Sequence, residues 1–424
     1  MTGLTRGLLA GMVLLAGSMT GMAATMDITA SFSPSMDNPE NNTFTNTTAQ
    51  SGFCQTWPAQ CGSGEKSLAT GLTLTPSKGL TPQDGKRDTL FFKWPSSYRD
   101  VIVTNESTGN TQKVQLRISS FSGRYFANSS SEIYNWGKNG AAFSLYPDGG
   151  CSSLAPGWIL GGAQVAWLWS VPEGNTGCYK ITSVDRPVGG ANFINKVSEL
   201  SFGYSLLSPN PLQMEAGIYT GTLTYSVGPG GDIDFGDNFQ ASDTELTINF
   251  TLSVNHELKL TTTADDQKVS LQPCASGRTC TEDEGAANWE RWMVTRITPQ
   301  LTGRSKFTLS SSGAFTVYLQ CEQQSGSDCV LKSDTTSSQT VPVQTLLTLP
   351  DNIVDNSTGS TVSKRHLEVG MQLAKNVFVT REFGQNKAGS IDFLIDQREV
   401  DTMLKTRPDT YRGAVTVIFD PEIY

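Results

Sequence analysis

Apolar and polar positions alternate with a period of two along much of this chain. In TELTINFTLSV, residues 244–254, the apolar set is Leu246, Ile248, Phe250, Leu252 and Val254. Thr247, Asn249, Thr251 and Ser253 fall between them. That pattern predicts a strand with one buried face. The run just before it, IYTGTLTYSV, behaves alike: Tyr219, Leu223, Tyr225 and Val227 face one way, and Thr220, Thr222, Thr224 and Ser226 the other. Further strands are expected at 114–119, 164–171, 315–321, 376–383 and 390–395. Clusters of Gly, Pro, Asp and Ser separate them, which is the rhythm of β-sandwiches. The expected fold class is all-β, with two immunoglobulin-like sandwiches in tandem.

One strand motif occurs twice. IYTGTLTYSV at 218–227 and TYRGAVTVIF at 410–419 share the spacing Tyr-x-Gly-x-(Leu/Val)-Thr. The first copy passes through a turn region and returns as 244–254, an antiparallel pair that can finish a sheet. The second copy carries an equally apolar stripe, Tyr411, Val415, Val417 and Phe419, and the sequence reaches Tyr424 five residues after Phe419. The expectation is a C-terminal sandwich short of its final strand, with those four side chains as the face that would accept one from another chain. The other reading is an edge closed by an earlier strand of the same unit. Alternation restarts at Leu258, within VNHELKLTTT. The expected units are therefore 24–256 and 257–424, joined by a short connection without a Gly/Ser or Pro tract. The alternating MDITASF, residues 26–32, reads either as a first strand or as a free donor arm.

Composition narrows the choices. Of 424 residues 17% are charged, below the usual quarter, and the formal net charge is −9. Binding to nucleic acid or to an anionic membrane is driven by clustered Lys and Arg, so neither is an expected partner. Arg6 followed by the apolar LLAGMVLLAG and by small residues at Gly21, Ala23 and Ala24 reads as an export signal over 1–23. The eight cysteines then suit an oxidising compartment. They fall in four sequential couples, Cys54 with Cys61, Cys151 with Cys178, Cys274 with Cys280 and Cys321 with Cys329, although eight thiols allow 105 connectivities. No Cys-x-x-Cys occurs and the only histidines are His256 and His366, so a zinc site and Ser-His-Asp chemistry are both poorly supplied. No cofactor is implied. A pair of carboxylates could still serve a carbohydrate-active enzyme. Asp232, Asp234 and Asp237 in GDIDFGD could gather around calcium or form a solvated hairpin loop. TEDEGAANWERW, 281–292, reads as an acidic surface turn or short helix.

Six of the eight tryptophans, Trp57, Trp94, Trp136, Trp158, Trp167 and Trp169, precede residue 256. Aromatic faces suit sugar rings, and polar neighbours fix orientation. GRYFANSSSEIYNWGKNG, 123–140, is the most loop-like aromatic cluster, and offers Arg124, Tyr125, Tyr134, Asn135, Trp136 and Lys138 as a receptor-binding set. A tryptophan in a sandwich also serves as core, and the alternating Trp167 and Trp169 in VAWLWSV fit that role.

Three segments carry a family resemblance: AGIYTGTLTYSVGPGGDIDFG with TELTINFTLSVNHELKLT, the ending RPDTYRGAVTVIFDP, and FTNTTAQSGFCQTWPAQC at 44–61. Together, about a fifth of the chain, they resemble the two-domain tip adhesins and pilus-initiating minor subunits of chaperone–usher fimbriae, alpha (class 5) type. The resemblance implies an N-terminal adhesin domain that binds a host surface receptor, often a glycan. It implies a C-terminal pilin domain whose groove is filled first by a periplasmic chaperone, then at the outer-membrane usher by a strand of the major pilin. The protein would reach the cell surface at the fimbrial tip. A non-adhesive subunit that initiates or caps the fibre would carry the same C-terminal half.

Overall fold

The computed structural model describes residues 24–35, 37, 38, 41–62, 64–129, 136, 147–159, 163–275, 277–369 and 376–421. The export signal expected at 1–23 lies outside them. The principal strands of the first half are β1 (Ala24–Phe32), β2 (Arg99–Asn105), β3 (Thr111–Ala127), β4 (Gln164–Ser170), β5 (Ile194–Leu207), β6 (Gly217–Ser226) and β7 (Glu245–Val254). They belong to one twelve-stranded sheet, in which these run in the order β5-β3-β2-β6-β7-β1, with β4 against β3. The sheet curls back on itself. Tyr204 of β5, far from β1 in that order, meets Asn46 and Thr48 from the segment beside β1, at 3.0 and 2.9 Å.

The alternation seen in the sequence sets the register. β6 and β7 pair antiparallel from Gly217↔Val254 to Ser226↔Glu245, so Leu246, Ile248, Phe250, Leu252 and Val254 all enter the core. Their outward neighbours form polar cross-strand pairs such as Thr224 with Thr247, 3.1 Å between hydroxyls. MDITASF is part of β1, parallel to β7, with Met26, Ile28, Ala30 and Phe32 buried. It is a strand of the first core rather than a free arm.

The second half contributes β8 (Leu258–Thr261), β9 (Gln300–Ser311), β10 (Ala314–Cys321), β11 (Asp328–Ser333), β12 (Thr340–Thr348), β13 (Val377–Thr380), β14 (Gly384–Ile395), β15 (Tyr411–Arg412) and β16 (Val415–Asp420). One sheet has the order β8-β9-β14-β12-β11, and a smaller one holds β13-β10-β16. The two face each other: Phe307 of β9 packs edge-on to Phe419 of β16, ring centres 5.4 Å apart. A core built around Leu309, Phe315, Val317, Val341, Leu347, Phe378 and Ile395 lies between them, separate from the core of the first half. The molecule is thus all-β apart from short helices and two longer ones, α1 (Glu282–Thr295) and α2 (Gln397–Leu404). α1 starts with a full capping box, Thr281 and Glu284 each bonding the other's backbone N–H. That is why TEDEGAANWERW becomes a complete helix.

All eight cysteines form disulfides between sequential partners: Cys54–Cys61, Cys151–Cys178, Cys274–Cys280 and Cys321–Cys329. The last one joins β10 to β11, and so the two facing sheets.

Candidate strand-acceptor edge and receptor face

The repeated motif has opposite surroundings in the two halves. Its glycine has the same cause in both. A Cβ on Gly221 would stand 2.5 Å from the Ile102 carbonyl oxygen, and one on Gly413 would stand 2.8 Å from that of Val330. A neighbouring backbone passes too close for any side chain. The tyrosine ahead of it is anchored: Tyr219 donates to the Glu215 carbonyl at 3.1 Å, and the Tyr411 hydroxyl meets that of Thr406 at 2.8 Å. Arg412 bonds Asp334 at 3.0 Å, and Asp409 accepts from Ser333, which ties β15 to β11.

Beyond the glycine the copies diverge. β6 lies between β2 and β7, and Tyr219, Tyr225 and Val227 are 1%, 0% and 7% exposed. β16 pairs with β10 on one side, from Thr316↔Asp420 to Cys321↔Val415. Among the described residues it has no partner on the other side. Tyr411, Val415, Val417 and Phe419 are accordingly only half-buried, packed on the second core from one flank. Phe419 touches Phe307 and Phe315, at 5.4 and 6.0 Å between ring centres. β8 is also paired on one edge only, with β9, and its Leu260 is 41% exposed. Leu258 of β8 and Pro421 just after β16 line one cavity of about 480 Å³, beside the junction of the two halves. Tyr411, Val415, Val417 and Phe419 thus form a half-covered apolar strip. Phe307, on the opposite wall, is a member that sequence reading missed, because nothing in KFTLSS marks which strand it faces.

Of the expected receptor-binding set, the structure describes Arg124, Tyr125 and Trp136. Tyr134, Asn135 and Lys138 lie outside the described residues. Tyr125 and Trp136 are both 0% exposed. Trp136 Nε1–H donates to the Tyr125 hydroxyl at 2.8 Å, and the guanidinium of the buried Arg186 lies 4.5 Å from the Trp136 ring centre. Burial pushes the Tyr125 hydroxyl above its ordinary pKa, despite the nearby Arg186. These rings are core, and their faces are not open to a sugar; the expectation fails here because a polar, glycine-rich stretch hides how deeply its aromatic side chains go. Arg124 remains near the surface, bonded to Glu199 at 2.8 Å and to Gln164 at 3.2 Å. Trp94, Trp167 and Trp169 are fully buried as well.

The three aspartates are held by arginines. Arg87 bonds Asp234 at 2.9 Å and Asp237 at 2.8 Å, and Arg99 pairs with Asp232. Asp234 is buried and also accepts the backbone N–H groups of Gly230 and Gly236, both at 2.8 Å. GDIDFGD is therefore an ion-paired turn, with two arginines shared among its three carboxylates. Among the described residues no group of three or more His, Cys, Asp and Glu is placed to hold a metal. Burial pushes the Asp234 carboxyl up, but Arg87 and the two backbone donors outweigh it and hold it below its ordinary value. A depressed carboxylate adds stability that is present above about pH 4 and is lost as pH falls through the folded-state value. Arg87→Met should cost about 2 kcal/mol in urea unfolding at pH 7, allowing for the partial exposure of the arginine, and less once pH falls below the folded-state value of Asp234.

Comparison with known proteins adds the following. No protein-family model matches the chain, and no curated protein matches it. Among the solved structures it resembles are those of pilus tip adhesins. One is a chaperone–tip adhesin complex of CFA/I fimbriae, at 11% identity and TM-score 0.25, covering 94% of this chain and 97% of that one. Another is CfaE, the adhesive subunit of CFA/I fimbria of enterotoxigenic Escherichia coli, at 9% identity and TM-score 0.23, covering 94% and 92%. A third is the CsuC–CsuE chaperone–tip adhesion subunit pre-assembly complex of Acinetobacter baumannii Csu pili, at 12% identity and TM-score 0.21, covering 94% and 98%. Scores this low leave function to the chain's own geometry. No helix among the described residues is long and apolar enough to cross a membrane.

Proposed function

We propose that this protein is a non-enzymatic tip subunit of a chaperone–usher pilus. Residues 257–424 accept a strand along β16, and residues 24–256 bind a host surface receptor. The observation that carries the reading is the contrast within the repeated motif: Tyr219, Tyr225 and Val227 are sealed by β7, whereas Tyr411, Val417 and Phe419 stay half-buried beside an unpaired backbone. Unpaired strand edges with apolar flanks pair with whatever strand is offered. A periplasmic chaperone would cover this edge first and a pilin subunit would replace it at the usher, which places the protein at the cell surface. The large first core supports a binding role. The burial of Tyr125 and Trp136 favours, as a second reading, a non-adhesive subunit that only initiates the fibre.

Two measurements separate the possibilities. Phe419→Asp puts a charge on the accepting face, and should abolish recovery of the protein in complex with pilus chaperone and pilin from periplasm. Undiminished recovery would overturn strand acceptance. Purified residues 24–256 should bind host cells or a glycan array. Binding nowhere, with fibres lost on deletion of the gene, would leave the initiator.

A further inference from the structure

The two halves meet at a histidine. His256 follows β7, and its ring stands between residues of both halves. Its Nε2 lies 2.8 Å from the Met214 carbonyl oxygen, in the segment that leads into β6. Its Nδ1 lies 3.3 Å from the Ser312 hydroxyl, in the turn between β9 and β10. Phe32 at the end of β1 packs edge-on to the ring, centres 5.9 Å apart. A Cβ on Gly313 would stand 2.6 Å from the ring, so the bare glycine is what makes room for it.

These hydrogen bonds have a direction. The Met214 carbonyl can only accept, which assigns the proton of the neutral ring to Nε2. Nδ1 is then the acceptor, and the Ser312 hydroxyl donates to it. The same hydroxyl oxygen accepts the Glu257 backbone N–H at 2.8 Å, and the Ser312 N–H donates to the Glu257 carbonyl at 3.1 Å. A proton added at Nδ1 turns that nitrogen into a donor. The Ser312 O–H must then rotate away and find another acceptor, although Ser312 is 0% exposed. The neutral ring ties the halves together, and the charged ring disrupts one of its two ties.

The surroundings do little to hold a charge. Burial pushes His256 below its ordinary pKa, and the Met214 carbonyl offsets this only in part. The cavity beside the ring is lined by Met214, Ala216, Leu258, Ala314 and Pro421, and its ionisable groups besides His256 are Glu215 and Glu257. Glu215 is engaged by the Thr108 hydroxyl at 2.7 Å and by the Asn110 amide at 2.8 Å. Among the described residues neither carboxylate bonds the ring. Phe32 and the turn at 311–314 bring no ionisable group.

We propose that His256 is a pH-sensitive pin, which locks the two halves together while neutral and releases them when protonated. A base held low in the locked state contributes stability that is complete above about pH 6.5 and is lost as pH falls through the locked-state value. Release parts Met214, just ahead of β6, from the turn that leads into β10, the strand paired with β16. The angle between the first core and the β16 edge is then no longer fixed by this contact. The pin stands on its own contacts and needs neither strand acceptance nor a receptor.

Hydrogen exchange of the Glu257 and Ser312 amides in the whole mature chain, corrected for the intrinsic effect of pH, tests this between about pH 7.5 and about pH 5. Both amides should exchange at least about threefold faster at the lower pH. His256→Gln supplies an amide that can donate to Met214 but does not titrate, so its ratio should stay near one. Glu215→Gln and Glu257→Gln should respond as the native chain does. Ring NMR gives an independent reading, since the chain has only two histidines and His366→Gln assigns the other. His256 should titrate below the ordinary histidine value of about 6.5. Exchange indifferent to pH overturns the proposal, as does a response that survives His256→Gln or vanishes in either glutamate variant. A His256 that titrates at or above its ordinary value does so whether or not the variants fold.

Discussion

A strand of alternating apolar residues, joined to the C-terminus through a flexible linker, should raise the melting temperature of the mature protein by more than about 10 °C and make it monomeric. The reasoning starts from β16. Three or four aliphatic side chains seated against Tyr411, Val415, Val417 and Phe419 would leave water, each contributing roughly 1.5–3 kcal/mol. In a unit of this size each kcal/mol moves the midpoint by about 2–4 °C. The added backbone would also satisfy donors and acceptors that β16 now turns outward. Without the added strand, the same edge should drive concentration-dependent association through β16. Scanning calorimetry and light scattering read the two effects. An unchanged midpoint together with an unchanged particle size would mean that the edge is already satisfied, and strand acceptance would fail. A scrambled strand that puts polar residues on the inward positions should give neither effect.

Trp136→Ala should destabilise the first half by about 3–5 kcal/mol, the range for removing a buried large aromatic. The indole is fully buried, bonds the Tyr125 hydroxyl and lies over the Arg186 guanidinium. Its loss leaves a cavity and strips the buried cation of one of its partners. Chemical denaturation, read through the first half's tryptophan fluorescence, measures the cost. A platform residue would behave otherwise: stability would hold and binding would disappear. A variant that keeps its unfolding midpoint would return Trp136 to the surface role expected from the sequence.

Much of the fold was legible because the alternation was strong where one face is buried. Leu246 to Val254 and Tyr219 to Val227 could be assigned inside and outside before any coordinates. The half-covered stripe of β16 was legible for the same reason, since its side chains copy those of β6. What could not be read were relations across space. GDIDFGD gave no hint that Arg87, far earlier in the chain, pairs with two of its three aspartates. GRYFANSSSEIYNWGKNG looked like surface because its polar residues outnumber its rings, yet two of those rings are in the core. α1 was half-seen: the capping residues were there in TEDE, but the acidic composition suggested a turn.

The Cys321–Cys329 bridge bears on how the molecule would behave under tension. Among the described residues it clips β10, the one strand hydrogen-bonded to β16, to β11, the one strand hydrogen-bonded to β15. A pull delivered along β16 loads its bonds to β10 side by side rather than one after another. The covalent clip hands part of that pull to the opposite sheet, so the C-terminal sandwich would yield as a whole or not at all.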